Sequence, residues 1–117
     1  MIKDIAEVRK TIIDAFAEHG YHPQPHMLQG ILCKCTEELG EVATVVNKPH
    51  KEHPEPLYAE VCDLIIAATD LAYMHLQLST GQPLTTEEFS DIMQEKLKEK
   101  SEKWLSLELE HLPNKGE

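Results

Sequence analysis

The chain has 117 residues, 41% of them apolar, and a formal net charge of −10. That length points to one domain with enough apolar content for a core that needs no disulfide staples. The acidity excludes a broad nucleic-acid-binding face, which would demand clustered Lys and Arg.

An odd number of cysteines (Cys33, Cys35, Cys62) and an opening MIKDIAEVRK without the apolar centre of a secretory signal point to the reducing cytoplasm. The longest uninterrupted apolar run, Leu64 to Ala68, is far below the roughly 18 residues that span a bilayer. A soluble protein without a membrane partner is expected.

In chain order, Ile5, Val8, Ile12 and Phe16 recur at three- and four-residue steps and predict an amphipathic helix from about Lys3 to His19, stopped by Gly20. After YHPQPH, a second helix carries Leu28, Leu32, Cys35, Leu39, Val42 and Val46 at four-three-four-three-four spacing, one straight apolar seam. KPHKEHPEP, with its three prolines, ends it near Asn47. A third helix runs from Pro56 or Leu57 to Leu78. Its VCDLIIAATDLAYMHL is apolar around most of its circumference, so burial on nearly all sides is expected, more than one small bundle provides. STGQP turns the chain. Thr85 with Glu88 then forms a capping box for a fourth helix that presents Phe89, Met93, Leu97 and Trp104 on one side. No strand, repeat or low-complexity tract is visible. The expectation is an all-α four-helix bundle, one domain over 1–112 with a flexible tail at 113–117, assembled as a homo-oligomer, dimer or tetramer.

The acids carry the chemistry. With Leu28, Leu32, Leu39 and Val46 at the centre of the second helix's buried face, Lys34, Glu37, Glu38 and Glu41 fall on one flank, Glu38 nearest the seam. On the third helix Glu60, Asp63, Ala67 and Asp70 line one stripe. Three glutamates alone read most simply as a solvated helix face. Glu60 and Asp63 do not, because their neighbours are apolar, and buried acids are rare unless paired or bound to a cation. The third helix has no Lys or Arg, and Lys34 neutralises at most one acid. A cation from outside is the simplest partner. Oxygen-only ligands favour Mg²⁺, then Mn²⁺. Cys33 and Cys35 lie about 200° apart on a helix and cannot share an ion, so the cysteines read as core filler. The histidines in loops, His22, His26, His50 and His53, read as solvent-exposed. Only Glu108 to His111 matches the Glu-x-x-His spacing of a di-iron bundle.

With EELGE at 37–41 and EVCD at 60–63, the chain resembles the MazG-like family of all-α nucleoside triphosphate pyrophosphohydrolases, whose pattern is E-E-x-x-E followed on the next helix by E-x-x-D. The resemblance implies that Glu38, Glu41, Glu60 and Asp63 hold Mg²⁺, with Glu37 completing the shell or orienting a water. It also implies that a small-molecule nucleotide is cut between its α and β phosphates, giving the monophosphate and pyrophosphate in a house-cleaning role. Lys34 stands three residues before the acid pair, as is common in the family. Of the family's Lys-x-x-x-Asn signature on the last helix, Lys96 fits and Lys100 occupies the Asn position. Together with Lys34 they are the expected substrate contacts. Gly40 leaves a side-chain-free spot beside the acids, for a ligand or for close helix packing. The alternative reading is a non-catalytic acidic helical module that binds a cation or a basic partner.

Overall fold

The computed structural model describes residues 1–81 and 84–113. Gln82 and Pro83 of the expected STGQP turn, and 114–117 of the expected tail, lie outside the described residues. The chain is all-α, four helices packed as a bundle: α1 (Ile2–Ala17), α2 (Met27–Asn47), α3 (Leu57–Thr80) and α4 (Thr86–Glu110).

The helix ends follow local chemistry. Gly20, at φ +82°, turns the chain after α1, and Gly81, at φ +68°, is the left-handed cap of α3, a conformation that L side chains rarely adopt. At the start of α4 the Glu88 backbone N–H donates to Thr85 Oγ1 at 3.0 Å, while the Thr85 hydroxyl donates to Glu88 Oε1 at 2.9 Å. The expected capping pair is present.

α3 is the spine. α2 packs along it, α1 packs on it as well, and α4 packs against α1. The core where α1, α3 and α4 meet consists of Ile2, Ala6, Tyr73 and Phe89, with the two rings edge to face at 5.0 Å. Gln77 joins the last turn of α3 to the approach of α4 through both backbone groups of Leu84, and its amide also donates to the Tyr73 hydroxyl of its own helix at 2.7 Å. Arg9 of α1 clamps Asp70 of α3 with two hydrogen bonds of 2.6 Å. Asp70, expected on the same stripe as Glu60 and Asp63, is thereby taken by an arginine.

The structure corrects the expected helix faces. On α1 the buried residues are Ile2 and Ala6, with Arg9 and Ile13 beside them, while Val8, Ile12 and Phe16 of the expected seam are exposed. On α2 the buried residues are Ile31 and Glu38, while Leu32, Leu39 and Val46 are exposed. At about 100° per residue, α2 is turned roughly 70° from the expected orientation. The reason is the same on both helices: a charged side chain with work to do, Arg9 or Glu38, occupies the packed face. Leu97 and Trp104 of α4 are also exposed, because 25 residues reach about 37 Å and the 16 of α1 only about 24 Å, leaving the end of α4 uncovered.

α3 is not buried on nearly all sides within one chain, since Leu57, Tyr58, Ile65 and Ile66 are exposed. Cys33 and Cys62 are exposed too, so they do not fill the core. By length and composition alone α3 could cross a bilayer, which counting uninterrupted apolar runs had missed; a core helix passes the same test. The radius of gyration is 18.1 Å, against about 13 Å for a compact chain of this length. The chain is elongated.

Candidate metal centre

The acids of α2 and α3 meet because each helix offers them at i and i+3, which puts the pair on one face of the helix. Glu38 and Glu41 project from α2. Glu60 and Asp63 project from α3, which the 48–56 connection turns back alongside it. One carboxylate oxygen from each of the four lies within 4.8 Å of the others. All four expected metal ligands come together.

Burial grades the set. Glu38 is 6% exposed and Glu60 8%, Asp63 is intermediate, and Glu41 opens to solvent. Lys34 donates to Glu38 Oε1 at 2.9 Å, and lies 3.7 Å from Glu37 Oε2. The other oxygen of Glu38 and Oε2 of Glu60 are buried without a hydrogen-bond partner. Two orphaned carboxylate oxygens in one cluster are costly, because desolvated acceptors are ordinarily satisfied. A cation would satisfy both. The donor set, four carboxylates and no sulfur or imidazole, fits a hard divalent ion such as Mg²⁺ or Mn²⁺.

The electrostatics agree with crowding. The hydrogen bond from Lys34 holds the Glu38 carboxyl below its ordinary value, against the opposing effect of burial. Glu41 is pushed up, first by the charge of Glu38, with Glu60 adding to it. One lysine, paired with a single member of the four, leaves an uncompensated anionic site when all are ionised.

A groove of about 410 Å³ opens beside the cluster, lined by Glu41, Glu60 and Asp63 together with Thr44, His53 and Glu55. His53 was expected to be a solvent-exposed loop residue. It is half-buried, and its Nε2 lies 2.8 Å from the carbonyl oxygen of Lys48, to which it must donate. Nothing in the sequence pattern marks it, since its place depends on how the 48–56 connection folds over the cluster. A Cβ built on Gly40 would meet nothing within 4 Å, so the close packing considered for that glycine does not occur within one chain.

The remaining expected site residues are elsewhere. Glu37 is exposed on the outer side of Lys34 and is not one of the four clustered acids. Lys96 is exposed on α4, where it pairs with Glu99 at 3.0 Å, and Lys100 is exposed one turn later. Neither lines the groove. The structure joins the metal-ligand candidates and leaves the two α4 lysines, expected as substrate contacts, apart.

In comparisons with known proteins, no family model, no curated protein and no solved structure matches the chain. The chain is, by its structure, a four-helix all-α protein with an acidic cluster.

Proposed function

We propose that the protein is a Mg²⁺-dependent nucleotide pyrophosphohydrolase of MazG-like type, working in the cytoplasm as a homo-oligomer. The observation that carries this reading is the convergence of Glu38, Glu41, Glu60 and Asp63 with two buried, unpartnered oxygens. The spacing of those four acids, together with Glu37, is also what the resemblance rests on.

Glu38, Glu41, Glu60 and Asp63 would hold the ion. Mg²⁺, when bound, would screen the phosphate oxygens, stabilise the pyrophosphate leaving group and activate water. Lys34 keeps Glu38 ionised and oriented, which pre-forms the buried side of the site. Glu41, with its carboxyl held up by Glu38, is suited to carry a proton before the ion enters and to lose it on binding. Glu37, beside Lys34 and open to solvent, is suited to orienting water at the edge of the site. In the overall reaction one water adds to the substrate, the bond between the α and β phosphates breaks, and a nucleoside monophosphate and pyrophosphate leave.

The test is phosphate release from a panel of nucleoside and deoxynucleoside triphosphates, run with and without an added inorganic pyrophosphatase. The expected result is a signal that requires the pyrophosphatase, requires Mg²⁺ or Mn²⁺, and disappears with EDTA. Orthophosphate and a nucleoside diphosphate without the coupling enzyme would assign the wrong bond.

One observation favours the second reading, a non-catalytic module that binds a cation or a basic partner. Among the described residues no Lys or Arg lines the groove, so no cationic Lys or Arg side chain there would meet a triphosphate. Stabilisation by Mg²⁺ without hydrolysis of any nucleotide in the panel would establish that reading.

A further inference from the structure

Among the described residues, His53 is the one nitrogen base that lines the groove beside the acids. Its Nε2 lies 2.8 Å from the Lys48 carbonyl oxygen. A carbonyl only accepts, so Nε2 carries the hydrogen and the neutral ring keeps its lone pair on Nδ1, which has no hydrogen-bond partner among the described residues. One nitrogen fixed by an acceptor and the other left free is the arrangement that orients a histidine as a base. The connection is also stiff where it matters. Lys48 and His53 each directly precede a proline, Pro49 and Pro54, which narrows the backbone freedom of both hydrogen-bonding residues. The rest of the lining holds weaker candidates. The Thr44 hydroxyl is engaged as a donor to the Gly40 carbonyl at 2.9 Å. Glu41, Glu60 and Asp63 belong to the proposed ligand set. Glu55 is exposed at the rim. A carboxylate, ordinarily titrating near about 4, is a weaker base at neutral pH than an imidazole, near about 6.5.

We propose that His53 is the general base of the hydrolysis, taking a proton from the attacking water at Nδ1. This rests on the pyrophosphohydrolase reading and adds to it a residue that lies outside both acidic motifs. One O–H bond of the water breaks and its proton goes to Nδ1. The oxygen bonds to one phosphorus of the α–β bridge, and the bond from that phosphorus to the bridging oxygen breaks, its electron pair staying on the bridging oxygen. The ring is then an imidazolium with both nitrogens donating, Nε2 still on the Lys48 carbonyl. Glu41, Glu60, Asp63 and Glu55 line the same groove and favour that positive charge when it forms. The proton then leaves to solvent, into which the groove opens. In a groove without Lys or Arg, the protonated ring is also the one lining side chain that can carry positive charge as the phosphates separate.

The experiment measures steady-state hydrolysis of the triphosphate panel by the full chain, with thermal melts in Mg²⁺ beside it. His53→Gln keeps an amide that can donate to the Lys48 carbonyl and loses the base. Its kcat is expected to fall roughly 10²–10⁴-fold with KM little changed, while Mg²⁺ raises its Tm as much as that of wild type. His53→Ala is expected to lose activity similarly and to recover part of it in added imidazole. His50→Ala, at an exposed position of the same connection, is expected to match wild type. A readout that needs no substrate is the ring ¹⁵N spectrum of the metal-free protein, expected to show the Nε2–H tautomer for His53. A spectrum with the hydrogen on Nδ1 overturns the proposal. So does a His53→Gln enzyme with wild-type kcat, one changed only in KM, one that Mg²⁺ no longer stabilises, or a His53→Ala enzyme that imidazole leaves inactive. These outcomes beside an active wild type sink the assignment of His53 alone. A wild type that hydrolyses no nucleotide in the panel sinks the pyrophosphohydrolase reading and the base with it.

Discussion

Replacing Glu60 by Gln is expected to remove both hydrolysis and stabilisation by Mg²⁺, yet to leave the metal-free protein as stable as wild type or more so. The side chain keeps its shape and loses one charge from a cluster that one lysine contacts. It also gains an amide donor within the cluster of acids. In wild type, Mg²⁺ at one hundred times its dissociation constant should add about 2.7 kcal/mol, roughly 10 °C in Tm for a domain of this size. In the variant that increment should nearly vanish. Asp63→Asn should behave the same way. The measurement is a set of thermal melts with and without Mg²⁺ at fixed protein concentration, beside the hydrolysis assay. A variant that Mg²⁺ stabilises as much as wild type would remove Glu60 from the proposed ligand set.

The pH dependence of the metal-free melts carries two opposite signs. Glu41 is raised in the folded state by Glu38 and Glu60. It therefore stabilises below its ordinary titration range, and that contribution is lost as pH rises through its folded value. Glu38 is lowered by Lys34, so its contribution is present above the ordinary range and is lost as pH falls through its folded value. Metal-free wild type should thus lose stability on both sides of the carboxylate range. Adding Mg²⁺ should abolish the loss on the alkaline side, and Glu60→Gln should weaken it. Melts from pH 3 to 8, with and without the ion, check both signs.

The helices and the four clustered acids were legible in the sequence because both depend on local chemistry. Thr85 and Glu88 start α4, prolines separate α2 from α3, and Gly81 closes α3, all within a few residues of the ends they set. Glu38 with Glu41, and Glu60 with Asp63, share a helical face at any orientation of the helix. Orientation itself was not legible. Apolar periodicity selected Leu32, Leu39 and Val46 as the centre of the buried face of α2, but the strip 28, 31, 35, 38, 42, 45 has an equally good three-four spacing and contains Glu38. A scan for apolar residues discounts a strip whose fourth member is an acid, although that acid is the reason it packs. Arg9 hides the true face of α1 in the same way. An exposed apolar seam is the consequence on both helices, and a surface that meets another molecule is a physical reason for a sequence to keep one. The part of His53 in the groove follows from tertiary structure alone.

Phe89→Ala is expected to give the largest loss of stability, about 3–5 kcal/mol, a large share of the 5–15 kcal/mol typical of a domain. Phe89 is fully buried, and with Tyr73, Ile2 and Ala6 it forms the small core that ties α4 to the rest. Beyond that core, α4 is held by the Thr86 hydroxyl on Glu7 and by Lys3 with Glu87, a solvent-exposed pair worth little by itself. Truncating the ring leaves a cavity beneath Tyr73 and removes the edge-to-face contact. Trp104→Ala is the matched control: its indole is 68% exposed and contacts Glu108 of its own helix, so the change should stay within about 0.5 kcal/mol. The acidic cluster lies between α2 and α3, away from this core, so the expected Mg²⁺-dependent rise in Tm should persist in Phe89→Ala while the baseline falls. Melts of the two variants, each with and without Mg²⁺, separate these effects. A larger loss from Trp104→Ala than from Phe89→Ala would mean that the uncovered end of α4, not the Tyr73–Phe89 core, holds the helix in place.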